Sequence, residues 1–393
     1  MRFFKWLFSW KTIRRALIGL VCLATLLALF HAVENWRGHR AWKQYKAQLE
    51  AKGEQLDLKA LIPKPVPDEQ NFAAIPLLKS LFPKPTNEWN PVFSKASTLV
   101  PRTIISKSER HVTDLAAWEM ALIEAASNQN SSKEFQTDKL DRESRAKAAP
   151  AVLEYLKDLE PLHRELRGAS HRPESRYFIE YNLEQPFDIL LPHLGLIKRL
   201  CQGLQLKASA ELALDQSESA LEDVNLMFRL TDSLSSEAFL ISYLVRGACV
   251  NITVQTIWEG LAEQLWSDAQ LEELQGQLQR LNFVSDLKRE LDGERAGAIK
   301  TMDMLSSRRG RLLEVADMYN DVRRNKTASN FEAIAFSLLF PRGWFDFEKI
   351  NYCQVFATQF DRLEDAANGE LPLLQLNEDT KKLEAEISSS TGI

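Results

Sequence analysis

Apolar positions recur every three or four residues over most of this chain and almost nowhere every two, so the pattern predicts helices throughout. Leu115, Trp118, Leu122 and Ala126 form one stripe, with Thr113 placed to cap it. Asn128–Ser144 is polar and reads as a loop. Tyr155, Leu159, Leu162 and Leu166 form a second stripe, ended by Gly168 and kinked or split by Pro161. The longest stripe runs through Leu190, Leu194, Ile197, Cys201, Leu204, Ala208 and Leu212. A turn at Asp215–Gln216 leads from it into a helix through Leu221, Val224 and Phe228. Glu237–Leu265 predicts a broad apolar helix, and Ser267 with Gln270 forms a capping box for the next, which runs to about Leu281. Further helices are predicted over Val284–Leu305, Leu312–Arg324 and Phe345–Ala367, followed by a polar tail, 377–393.

The N-terminal end departs from this amphipathic pattern. Ala16–Val33 carries no formal charge and is rich in leucine. As a helix it rises about 27 Å, close to the roughly 30 Å hydrocarbon core of a bilayer. Trp6, Phe8 and Trp10 precede it, and Trp36 and Trp42 follow it, as rings that favour the headgroup level do. A signal peptide has the same basic-then-apolar plan. However, cleavage after Ala32 would place Phe30 at −3, and cleavage after Ala28 would place Leu26 there. The reading is therefore an uncleaved, single-pass signal-anchor at 16–33 behind a cytoplasmic segment, 1–15, with the membrane lipid as its partner.

Arg2, Lys5, Lys11, Arg14 and Arg15 argue for a cytoplasmic N-terminus and an extracytoplasmic, periplasmic-side remainder. Ala238–Trp258 is also apolar, but Arg246 at its middle would cost about 2.5–3.5 kcal/mol in a bilayer, so it reads as a buried soluble helix.

After the span, 34–53 continues as a juxtamembrane helix with Trp42, Tyr45 and Leu49 on one face and Gly53 at the C′ position. Eight of the fifteen prolines then fall within 54–105, which rules out a regular helix or central strand over Leu61–Arg102. Phe72, Ile75, Leu77, Leu78, Leu81, Phe82, Trp89, Val92 and Phe93 recur there. A solvated linker has no use for them, so the segment reads as a strap on the helical domain, 106–376. The fold class is thus all-α: a transmembrane helix, a proline-rich strap and a multi-helix hairpin or bundle domain.

Beyond residue 33 the chain carries 44 basic and 54 acidic side chains, net −10, which disfavours binding to a phosphate backbone; no nucleic-acid partner is expected. Cys22, Cys201, Cys249 and Cys353 have no metal spacing and read as small buried hydrophobes, with a Cys201–Cys249 bridge as the one alternative weighed. The chain contains no HExxH, no GxGxxG after a strand, no P-loop and no GxSxG elbow, so no catalytic, cofactor-binding or metal residue is assigned.

The six histidines lack ligand spacing, and His163 and His171 read as surface groups. Arg289, Glu290, Asp292, Glu294 and Arg295 form a dense charge run. Glu290 and Glu294 share a face at i,i+4 and would suit acid/base work if they met a cleft, while a solvated, salt-bridged face is the ordinary role. Arg308, Arg309 and Arg311, then Arg323, Arg324 and Lys326, suit either a solvated loop or phosphate contact.

The opening Arg37-Gly-His-Arg-Ala-Trp42, Leu49-Glu-Ala-Lys-Gly-Glu54, Ile62–Phe72 and Ile75-Pro76, with the stretches Arg172–Tyr177 and Leu287–Arg295, resembles uncharacterised bacterial envelope proteins. Those proteins have one N-terminal span and a helical C-terminal region, and the resemblance implies an envelope setting without an assigned activity. The hairpin Leu204–Asp232 resembles a tetratricopeptide unit through Leu204, Ala208, Ala220 and Val224, whereas Lys207, Glu211, Met227 and Asp232 depart from its pattern. The expected function is a membrane-tethered interaction or scaffold protein, with a protein partner on the helical domain. The alternative is an envelope hydrolase that draws carboxylates from separate helices.

Overall fold

The computed structural model describes residues 10–82, 110–126, 141–307 and 340–367, and every regular element among them is helical. The described chain falls into two compact units: Met1–Ala60 with Asn182–Asp188 and Asp292–Ile393, and Leu61–Tyr181 with Ile189–Leu291. Residues 106–376 contribute to both.

The first unit is built on α1 (Trp10–Ala51), 42 residues without a break and therefore about 63 Å long. Span and juxtamembrane helix are one element because no proline or helix-breaking pair lies between Val33 and Ala51. The helix ends where Gly53 takes φ +84°, a conformation that costs glycine nothing. Leu17, Leu20, Leu23, Leu26 and Leu29 are all exposed. Farther on, Trp42 and Leu49 are buried with Leu56, Ile299 and Cys353 in a small core. Trp42 is thus a core residue with the Lys349 ammonium 4.8 Å above its ring, rather than the headgroup-facing ring its position suggested. Trp36, 62% exposed, keeps that role open.

The second unit is a helical bundle. Its longer helices are α2 (Leu115–Ala126), α3 (Arg142–Leu156), α4 (Glu160–Ala169), α5 (Pro192–Ala213), α6 (Ser217–Asp232), α7 (Leu240–Ala262) and α8 (Asp268–Gln279). α9 (Phe283–Ser307) begins in this unit and ends in the first, to which α10 (Arg342–Ala367) also belongs. α5 lies at the centre of the bundle. Ile197, Cys201, Leu204 and Ala208 pack into the core shared with α6 and α7, and Leu206, Ala210 and Ala213 pack with α2 and α3.

α5 and α6 form the expected hairpin, turned at Asp215 with φ +62°. Pro161 splits its stripe as expected: α3 ends at Leu156, a single 3-10 turn follows, and Pro161 occupies the first turn of α4. The capping box at Ser267 and Gln270 is formed. The loop read as Asn128–Ser144 is shorter at its end, because the Asp141 side chain caps a helix that already includes residues 142–144.

Between Leu61 and Phe82 the strap is docked, and it is not free of helix as its prolines suggested. Pro76–Lys79 forms one α-helical turn, with Pro76 at the first position, where its missing N–H leaves no bond unmade. Phe72, Ile75, Leu77, Leu78 and Leu81 enter the main core of the second unit. Asn71 pins them: its amide donates to the Arg176 carbonyl (2.8 Å), and its carbonyl accepts from the Arg176 and Ala73 N–H groups (2.8 and 3.0 Å). The rest of the strap, with Trp89, Val92 and Phe93, lies outside the described residues, as do Leu312–Arg324 and the two basic clusters.

Candidate functional site

A group of titratable side chains links α4, α5 and α6. On α4, Glu160, His163 and Arg167 fall three and four residues apart and so share a face; Lys207 and Glu211 do the same on α5. Lys207 Nζ stands 2.8 Å from Asp223 Oδ2 and 2.9 Å from Glu211 Oε1. Arg167 bonds Glu160 at 3.1 Å and reaches Asp223 through its second terminal nitrogen. Asp223, wholly buried on α6, is thereby held by two cations.

His163 is 1% exposed, and neither ring nitrogen has a hydrogen-bond partner. Burial holds its pKa down at about 4, against the pull of Asp223. Burial, reinforced by Asp223, pushes Glu211 up to about 7, with Lys207 and Arg167 opposing. Asp223 and Glu160 thus act on a neutral imidazole from two helices, and Glu211, linked to Asp223 through Lys207, is pushed toward neutrality, the range that proton transfer uses. Each carboxylate is also matched to a lysine or arginine.

Sequence reading placed His163 on the surface. The structure corrects this, because the face of α4 that carries it is the face turned into the bundle. Lys207 and Glu211 had shown only as charged departures from the tetratricopeptide pattern. That was the available signal, since charges at core positions must find partners. His171 is exposed as expected.

A second buried group joins His193, Glu237 and Ser242. His193 Nε2 lies 2.6 Å from Glu237 Oε1, and the Ser242 hydroxyl donates to the other carboxylate oxygen. The Tyr177 ring stacks 4.0 Å from that of His193, and its hydroxyl pairs with Ser233 at 2.7 Å. The residue types are those of a hydrolase triad, but the order differs. A nucleophilic serine must hand its proton to the imidazole, whereas here the carboxylate stands between serine and imidazole. The group ties the start of α5 to the start of α7.

A third network centres on Arg145 of α3. Its guanidinium bonds Glu259 on α7 at 2.9 Å and also Glu263 just past the end of that helix, and it donates to the Thr113 carbonyl at 3.1 Å. Thr113 does not cap α2 as its position suggested. Its hydroxyl donates to Glu259 (2.6 Å) and accepts from Gln205 (2.9 Å), while Asp114 accepts from the Ala117 N–H near the start of α2.

The charge run on α9 is not a solvated face. Glu290 and Arg295 are 1% and 2% exposed. Arg289 pairs with Glu290 (3.2 Å) and donates to the Ser235 carbonyl. Arg246 of α7 pairs with Asp286, and its guanidinium lies 4.9 Å from the Phe283 ring centre. Burial pushes Glu290 up to about 7, with Arg289 opposing. Farther along, Arg295 bonds Asp292 (2.6 Å) and Glu54. Of the two carboxylates four residues apart, Glu290 is engaged by Arg289, and burial raises the pKa of Glu294.

Cys201, Cys249 and Cys353 are buried free thiols, so the Cys201–Cys249 bridge is not formed. A hydrogen bond with Cys249, together with burial, raises the pKa of Cys201. Among the described residues no three His, Cys, Asp or Glu side chains are grouped to hold a metal ion. The chain matches no protein-family model, no curated protein and no solved structure.

Proposed function

We propose that this chain is a membrane-tethered interaction or scaffold protein of the bacterial cell envelope, with its N-terminus cytoplasmic and the residues beyond Val33 on the periplasmic side. The observation that carries the reading is the two-part character of α1. None of its apolar stretch is buried, while the same helix beyond Val33 is built into the folded unit. An exposed run of that length is costly in water and favourable in lipid. The pairing of interior carboxylates with lysine and arginine supports a stabilising role for the buried charges. Ile241 and Leu244, exposed one turn apart on α7, offer an apolar surface to a protein partner. The resemblance of residues 37–76 to envelope proteins agrees with this setting.

Two measurements test it. Reporter fusions after residue 393 should report a periplasmic C-terminus; a cytoplasmic signal would overturn the orientation. A photo-crosslinking side chain at Leu244 should give a discrete adduct in cells, and the lack of one would sink the interaction role.

The cluster around His163 favours a second reading, a hydrolase drawing Glu160, Glu211 and Asp223 from separate helices. Turnover of an ester, phosphoester or glycoside that disappears in Glu211→Gln would replace the first reading with this one.

A further inference from the structure

α10 runs alongside the second half of α1 and in the same direction. Gly343 lies against Glu34, Asn35 and Gly38, Lys349 lies over Trp42, and Cys353 shares the core of Trp42, Leu49 and Leu56. The start of α10 is therefore level with the end of the exposed apolar stretch at Val33.

Aromatic rings gather at that level. Trp344 packs edge-on to Phe30 with ring centres 6.2 Å apart, and its indole N–H donates to Glu34 at 3.0 Å. Phe340 lies 4.6 Å from Trp344 and 6.0 Å from Phe345. On α1 the exposed Trp36 carries the Arg40 guanidinium 5.5 Å from its ring centre, and Arg37 and Arg342 are exposed nearby in sequence to these rings. Half-buried aromatics beside exposed arginines, continuous with an apolar stretch, match the headgroup layer, where rings straddle apolar and wet surroundings and guanidinium groups meet phosphate.

We propose that the start of α10 is a second membrane-contacting element. Phe340, Trp344 and Phe345 lie at headgroup depth beside Trp36, and Arg37, Arg40 and Arg342 face the phosphates of the same lipid surface. The first unit is then seated on the bilayer, rather than held away from it by a bare juxtamembrane helix. The proposal rests on the reading of α1 as a membrane span.

The test uses the full chain reconstituted in vesicles of phosphatidylethanolamine and phosphatidylglycerol. A benzophenone side chain replaces, in separate samples, Leu26, Phe345 or Val355, and lipid adducts are counted by mass spectrometry. Lipid adducts at Leu26 and Phe345, with at least tenfold fewer at the exposed Val355 ten residues along α10, are expected. Adducts at Leu26 without adducts at Phe345 would overturn the second contact and leave the span standing. Adducts at neither position would overturn the span and this proposal together. Equal labelling at Phe345 and Val355 would also overturn it, since contact would then not be confined to the start of the helix. The replacement at Phe345 keeps an aromatic ring, and unchanged thermal melting of each sample controls for folding.

Discussion

A Cβ atom on Gly38 would stand 2.0 Å from the carbonyl oxygen of Gly343, so α1 and α10 meet backbone to backbone at these two glycines. The close approach lets the Gly343 N–H donate to the Asn35 side chain at 2.8 Å. Gly38→Ala must force the helices apart, and the cost should be about 1–3 kcal/mol, the usual range for overpacking. Gly276→Ala on α8 is the control, because nothing lies within 4 Å of its added Cβ, and removing a mid-helix glycine should gain roughly 0.5–1 kcal/mol. Denaturant melting measures both. In Gly38→Ala the buried Cys353 should also become reactive to alkylation.

Arg145 and Glu259 are 1% and 0% exposed at their side chains. Removing one partner leaves the other charge buried, so Arg145→Met should cost about 3–5 kcal/mol. Arg145→Met with Glu259→Met should recover much of that loss, since no uncompensated charge remains in the interior and Glu263 retains some access to water. A double-mutant cycle by chemical denaturation gives the coupling. Additive losses would mean that the two residues do not act as a pair.

His163 and Glu211 should give opposite slopes of stability against pH. The folded-state pKa of His163, about 4, lies below its ordinary 6.5. The unfolded chain therefore binds more protons in that window, and stability falls as pH drops from 6.5 to 4. The folded-state pKa of Glu211, about 7, lies above its ordinary 4.5. Its contribution is complete below 4.5 and is lost as pH rises through 7. In the wild type the two partly cancel. Glu211→Gln should expose the histidine slope, losing stability toward acid, and His163→Leu should expose the carboxyl slope, gaining it. Melting temperatures at pH 4.5, 5.5, 6.5 and 7.5 separate the two; parallel curves for both variants would refute the assignment.

Phe72 is wholly buried, and the Arg229 guanidinium lies 4.4 Å from its ring centre. Phe72→Ala should cost about 3–5 kcal/mol. Asn71→Ala should cost roughly 1–3 kcal/mol by leaving buried backbone groups without a partner. Limited proteolysis should spare 61–82 in the wild type and cut there early in either variant. Early cutting in the wild type would show that this part of the strap is not docked.

The sequence by itself determined the elements. An uncharged run of 18 residues, apolar positions at helical spacing, Pro161, Asp215–Gln216, Gly53 and the Ser267–Gln270 pair are local signals. Each acted locally as its chemistry requires: Pro161 lacks an N–H, Gly53 bears no Cβ, and Ser267 reaches its own N3 amide. The apolar residues of the first half of the strap were equally legible, because nothing but burial accounts for them at such density.

Only the tertiary structure decided which charges are interior. Lys207, Glu211, Arg145, Glu259, Glu290 and Arg295 look like solvated helix-face residues when only their own helix is considered. Several of the partners are remote: Arg145 meets Glu259, Lys207 meets Asp223 and Arg295 reaches Glu54, and no periodicity within one helix reports a partner elsewhere in the chain. The same holds for Gly38 and Gly343, about three hundred positions apart. A helical glycine has no local purpose, and its role appears only when a second backbone occupies the space a side chain would need.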